Sequence, residues 1–222
     1  MKVFNQTSAV PVYALLDLSA SMAFAGIADK RATLSDFVTA LGYSAYRTGD
    51  AFGYVGFDHA PCPQFVVSPR TAPGVGVELA ARLRTYAFPG RSAQGIVAAT
   101  RLLGMQPALV FVVSDFYFPL RLWASALAAM TRHRVVPLVL HDRAESLQLP
   151  KLWPRLRLAR IVDPETGAAR TLLLRRSLCR RIQAHRARHR ERLSALCHAH
   201  DCAPLFVEGE FSPASVTRYF NG

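Results

Sequence analysis

Three short stretches, residues 11–18, 108–114 and 135–140, are apolar almost from end to end. A strand with one wet face alternates apolar and polar residues, whereas a strand with no polar face must be covered on both sides. Longer stretches with helical spacing separate the three runs. This alternation predicts an α/β chain: a Rossmann-like, mostly parallel central sheet with helices on both faces. Sites in such sheets form at the carboxyl ends of the strands.

The helical stretches are 30–47, 76–87, 92–105 and 120–133. In the first, Leu34, Phe37, Val38, Leu41 and Ala45 fall near one face, and in the last so do Trp123, Leu127 and Met130. Residues 51–57 and 64–68 read as strands joined by a proline-containing loop. After Leu140 the character changes. Residues 150–154 read as a loop. Residues 156–162 and 169–174 form a candidate hairpin about Asp163-Pro164-Glu165-Thr166-Gly167. A long basic helix over 177–200 carries a stripe of Leu178, Ile182, His185, His189, Leu193 and Leu196. A short strand at 204–207 and a helix at 213–220 close the chain. The expected division is a core over 1–145 and a basic α/β extension over 146–222, packed on the same domain.

The first apolar run ends abruptly in Asp17-Leu18-Ser19-Ala20-Ser21. A carboxylate at the end of a buried strand is costly unless something pairs with it. The third-quarter run Val110-Phe111-Val112-Val113-Ser114-Asp115 repeats the design. Between them, Pro89-Gly90-Arg91-Ser92 delivers a hydroxyl at a helix start. Asp17, Ser19, Ser21, Ser92 and Asp115 are therefore candidate ligands for a hard divalent cation, which prefers oxygen donors. Two carboxylates and three hydroxyls supply little negative charge. An ion held this way stays electrophilic and takes a further anionic oxygen, so the set suits a contact bridged to a partner's Asp or Glu. The plain alternatives are a strand-to-helix turn with serine caps, and an N-cap at Ser92.

The net charge is +12, and residues 151–192 hold thirteen Lys or Arg against three acids. Such polarity points to an acidic partner surface, a nucleic acid or an anionic membrane face. The basic helix lacks aromatic residues for base stacking, which argues against nucleic acid. No run is long enough to span a membrane, and the first residues lack a signal-peptide core, so a cytoplasmic location is expected. Four cysteines do not form a disulfide framework. Cys197, His198, His200 and Cys202 crowd one helix end without the spacing of a zinc site. His59 and His141 lie near strand ends and are not expected to be catalysts.

The ordered set of Asp17-x-Ser19-x-Ser21, a hydroxyl near 92 and Ser114-Asp115 resembles the metal-ion-dependent adhesion site of the von Willebrand factor type A superfamily. More narrowly, the chain is similar to the bacterial family catalogued as domain of unknown function 58. Supporting segments are 15–22, the Gly49-Asp50 turn, 113–116, 135–142, Glu145 with Leu149-Pro150, and 163–167. The resemblance implies a sheet of the type just described. It implies Mg²⁺, or Mn²⁺ or Ca²⁺, bridged to a partner's carboxylate. It also implies a MoxR-type AAA+ ATPase as partner and, by analogy with methylotroph proteins, maturation of a client such as methanol dehydrogenase. The family usually has Thr where this chain has Ser92, which loses the methyl that stiffens the rotamer. Members of the family usually carry a longer N-terminal region with membrane spans, so a short, soluble relative is expected here.

The leading expectation is thus a non-enzymatic, metal-dependent adaptor. Two other classes remain open. A Mg²⁺-dependent phosphatase-like hydrolase would use Asp17 as nucleophile, yet Ser19 stands where a second acid is usual. A nucleic-acid binder would use the arginine-rich C-terminal half. No Gly-x-x-x-x-Gly-Lys-Ser/Thr loop occurs in the sequence, so ATP hydrolysis would come from another subunit.

Overall fold

The computed structural model describes residues 9–23, 29–141, 157–162, 169–174 and 176–221. The chain begins with β1 (Pro11–Asp17), a 3-10 turn (Ala20–Ala23), α1 (Lys30–Thr48), β2 (Ala51–Phe57) and β3 (Pro61–Arg70). It continues through α2 (Val75–Thr85), α3 (Ile96–Thr100), β4 (Leu109–Ser114), α4 (Leu120–Ala129) and β5 (Arg134–His141). The last elements are β6 (Arg157–Val162), β7 (Ala169–Leu174), α5 (Arg176–His198), β8 (Leu205–Glu208) and α6 (Pro213–Asn221).

Six strands form the central sheet in the order β3-β2-β1-β4-β5-β8, parallel except for β3. The two-faced burial expected of the apolar strands is met residue by residue. In β1, Ala14 and Leu16 face one layer with Phe37, Val38 and Leu79, whereas Tyr13 and Leu15 face the other with Ile96 and Trp123. In β4, Phe111 and Val113 divide from Val110 and Val112 in the same way. Helix α1 is delimited by Asp29, whose side chain accepts from Arg31 N–H, and by Gly49 at φ 78. Only glycine takes that left-handed C-cap without strain.

β8 pairs with β5 in parallel, so the C-terminal region contributes an edge strand to the same sheet. α5 docks through Leu193 and Cys197, both nearly inaccessible, and Trp123 Nε1–H points at Cys197 Sγ at 3.3 Å. β6 and β7 form a separate antiparallel pair. The expected turn at 163–167 lies outside the described residues, as do 150–154, Glu145 and Leu149. Among the described residues no helix is long and apolar enough to cross a membrane.

Two local expectations change. The helix expected over 92–105 is α-helical only at Ile96–Thr100. Beyond it the N–H groups of Arg101, Leu102 and Leu103 bond three residues back, and the Thr100 hydroxyl takes the Val97 carbonyl at 2.8 Å. A side chain competing for the ladder tightens the turn in this way. In α5, His185 is exposed. The half-buried position is Arg186, whose guanidinium lies 5.8 Å from the Tyr117 ring centre.

Candidate functional site

The carboxyl ends of β1 and β4 are neighbours, with Leu16 opposite Val113. The next residues are Asp17, 1 % exposed, and Ser114, fully buried. Ser114 Oγ donates to Asp17 Oδ2 at 2.6 Å and accepts from Phe116 N–H at 2.9 Å. Ser19 N–H donates to Asp17 Oδ1 at 2.9 Å. The 3-10 turn, anchored by fully buried Met22, curls the chain so that Ser19 Oγ and Ser21 Oγ lie 3.2 Å apart. Asp115 Oδ1 accepts from Tyr117 N–H at 3.3 Å. Asp115 Oδ2 pairs with Lys30 Nζ at 3.0 Å, and Lys30 Nζ also lies 3.4 Å from the Ser21 carbonyl. Four of the five expected residues, Asp17, Ser19, Ser21 and Asp115, therefore meet at one rim.

Ser92 is placed less closely. Its loop is tied to the rim by backbone: Ser19 bridges Gly90, and Ala20 N–H donates to the Gly90 carbonyl at 2.7 Å. Ser92 sits two residues further on, half-buried, and no hydrogen bond joins its hydroxyl to the other four among the described residues. Gly90 has to be glycine, because a Cβ there would lie 2.3 Å from Asp58 Cβ. Two phenylalanines with left-handed backbone flank the rim: Phe88 at φ 51 enters the Gly90 loop and Phe116 at φ 56 follows Asp115. Non-glycine residues hold this conformation only when packing over-determines it.

Burial raises the Asp17 pKa to about 6, the charge of Asp115 adds to the rise, and hydrogen bonds from Ser114 and Ser19 oppose it. The folded protein therefore binds a proton that the unfolded chain has already lost. Asp17's own contribution to stability in metal-free buffer is fully present below about pH 4 and is lost as pH rises through 6; buried His141, whose pKa is lowered to about 4, contributes with the opposite sign over the same interval. The expected loss is on the order of 2 kcal/mol. Urea melts of wild type and Asp17→Asn at several pH values check this: the difference between them should move in the variant's favour from pH 4 to pH 7.

The donor chemistry at the rim is oxygen only, and two carboxylates forced together in a buried place are the usual setting for a hard cation. Ser19, Ser21 and Asp115 have oxygens within this same cluster, so the residues fit a low-charge site. Among the described residues no group of three or more His, Cys, Asp or Glu side chains converges as a metal site.

Several functional positions escape sequence reading. Lys30 is one, since nothing in a helical stripe shows that its ammonium turns into the sheet edge. Ser114 stands in the motif set, but its bond to Asp17 from the neighbouring strand does not show in the spacing. Asp58 ends β2 in the same apolar-run-to-acid pattern, which was available as a signal. It is 7 % exposed and held by Ala60 N–H at 3.1 Å and His59 Nδ1 at 2.8 Å. His141 ends β5. Burial lowers its pKa to about 4, and its Nε2 is buried with no hydrogen-bond partner among the described residues. Its ring stacks on Tyr117, whose other stacking neighbour is His189.

Beside the rim lies a groove of about 610 Å³ between the 117–120 loop and α5. Its walls include Tyr117, Phe118, His185, Arg188, His189 and Arg192, with no acid among the described lining residues. A ring nitrogen of His189 lies 2.8 Å from the Phe116 carbonyl, which ties α5 to the residue following Asp115.

Comparison with known proteins follows this geometry. No curated protein matches the sequence. Among solved structures, BatB from Bacteroides thetaiotaomicron, described as a conserved hypothetical protein, is similar at 14% identity and TM-score 0.52, covering 96% of this chain and 100% of its own. A point mutant of the PilB minor pilin from Streptococcus sanguinis is similar at 9% identity and TM-score 0.54, over 99% of this chain and 61% of its own. The pilus adhesin SpaC from Lactobacillus rhamnosus GG is similar at 12% identity and TM-score 0.50, over 97% and 30%. At these identities the likeness is one of fold. Residues 1–192 match the family model described as protein of unknown function DUF58. The chain belongs to the DUF58 family.

Proposed function

We propose that this chain is a non-enzymatic adaptor whose sheet-edge site takes a divalent cation, Mg²⁺ or else Mn²⁺ or Ca²⁺, and uses it to engage an Asp or Glu of a partner protein. The observation that carries this reading is the meeting of Asp17, Ser19, Ser21 and Asp115 at the ends of two adjacent parallel strands. Asp17 and Asp115 would hold the ion with the hydroxyls of Ser19 and Ser21, and Ser92 would add a donor from its loop. When bound, the ion supplies an electrophilic centre for the partner's carboxylate. The protein's own residues do the rest. Ser114 and Ser19 N–H orient Asp17, and Phe116 and Tyr117 N–H fix the turn that presents Asp115. A phosphatase-like role is less well supported, because Ser19 stands two residues after Asp17 where a second acid is usual for that chemistry.

A MoxR-type AAA+ ATPase as co-worker, and a client of the methanol dehydrogenase kind, are part of the proposal. Their support is the resemblance of the motif set.

The groove beside Tyr117 gives such a partner a basic approach. Opposite charge at a rim chiefly accelerates encounter. Arg188→Glu with Arg192→Glu is expected to slow association with the partner roughly tenfold at low salt, with little change in dissociation. Surface plasmon resonance at two ionic strengths checks this. The site itself is tested by pull-down with and without EDTA, using wild type and Asp17→Ala. Metal-dependent capture lost in the variant supports the adaptor; capture indifferent to both would remove its basis.

A further inference from the structure

Lys30 is out of place by local rules. It is the first residue of α1, where the backbone N–H groups and the helix dipole already concentrate positive charge. It is also 3 % exposed, and buried lysines need acceptors. Those in view are Asp115 Oδ2 at 3.0 Å and the Ser21 carbonyl at 3.4 Å. Both belong to the two turns that carry the candidate ligands. The ammonium thus ties the end of β4 to the turn after β1 at the rim itself.

An ammonium carries a positive charge and only donates hydrogen bonds, so it repels a metal ion and competes with it for the same carboxylate. With Asp17 ionised, two carboxylates and one ammonium leave the rim a single net negative charge. Affinity for hard cations rises with ligand charge. We propose that Lys30 is a tethered counter-cation: it pairs with Asp115 to hold the metal-free rim folded, and it must release Asp115 for a divalent ion to bind, which keeps the ion's affinity low. This inference rests on the metal-site reading above. It deepens that reading by making ion uptake conditional: a partner carboxylate supplies the charge that Lys30 has cancelled.

The test uses the full chain with Lys30→Met and Lys30→Gln beside wild type. Mn²⁺ is titrated by isothermal calorimetry and by electron paramagnetic resonance of the free ion. Removing a unit positive charge from a few ångströms away should tighten Mn²⁺ binding roughly tenfold or more. Lys30→Gln keeps an amide donor for Asp115 and carries the comparison if Lys30→Met does not fold. Equal or weaker Mn²⁺ binding by the variants, with wild type still binding, would overturn the role of Lys30 and leave the metal site standing. No Mn²⁺ uptake by wild type or either variant would overturn both.

Discussion

Asp17→Asn is expected to weaken divalent-ion binding about a hundredfold while making the metal-free protein more stable above pH 6. The substitution is nearly isosteric. Its carbonyl oxygen still accepts from Ser19 N–H, and its amide faces Ser114 Oγ, which can turn to accept. What disappears is one of the two charges of the ligand set, and ion affinity should fall by a hundredfold or so. What also disappears is a buried charge held against Asp115, whose cost shows in the raised Asp17 pKa. The folded state should gain on the order of 1–2 kcal/mol at neutral pH. The two effects have opposite signs, and that is diagnostic. A carboxylate kept only for structure would destabilise the fold when neutralised. Urea melts at pH 7.5 in EDTA, paired with Mn²⁺ calorimetry, read both.

The second large effect is expected at Phe116. Its ring is fully buried, edge-on to Trp123 at 5.0 Å and tilted against Phe118 at 5.6 Å. Its backbone is left-handed. That conformation costs a β-carbon-bearing residue about 1–2 kcal/mol, offset here by the burial of the ring. Phe116→Ala should lose about 4 kcal/mol, since it removes the ring and keeps the strain. Phe116→Gly relieves the strain and still loses the ring, so it should also fall well below wild type. Equilibrium denaturation measures both. If the ring anchors the Asp115 turn, Phe116→Ala should also weaken Mn²⁺ binding severalfold at temperatures where it remains folded.

The fold was legible because its strands are buried on both faces. Such strands read as unbroken apolar runs, and residues 11–17, 109–114 and 134–141 are those runs. Asp17, Ser19, Ser21 and Asp115 were legible for a related reason: an acid that ends an apolar run is costly, and so informative. Other features were hidden because they depend on partners far away in sequence. Lys30 meets Asp115 across 85 residues, and Ser114 meets Asp17 across 97. Neither pairing leaves a local pattern. Helix α3 was over-extended because apolar spacing persists through Leu102 and Leu103 while the hydrogen bonding has already tightened to three-residue steps. His185 was placed on the docked stripe of α5 for a similar reason. Spacing gives a face, but not the neighbour that the face meets.

A crystal soaked in MnCl₂ and measured at the manganese absorption edge tests the metal site most directly. The account predicts an anomalous peak at the carboxyl edge of the sheet, bonded to oxygens of Asp17 or Asp115 and the Ser19 and Ser21 hydroxyls, with the Lys30 ammonium withdrawn from Asp115. A clean rim at saturating Mn²⁺, with Lys30 still seated on Asp115, would contradict it.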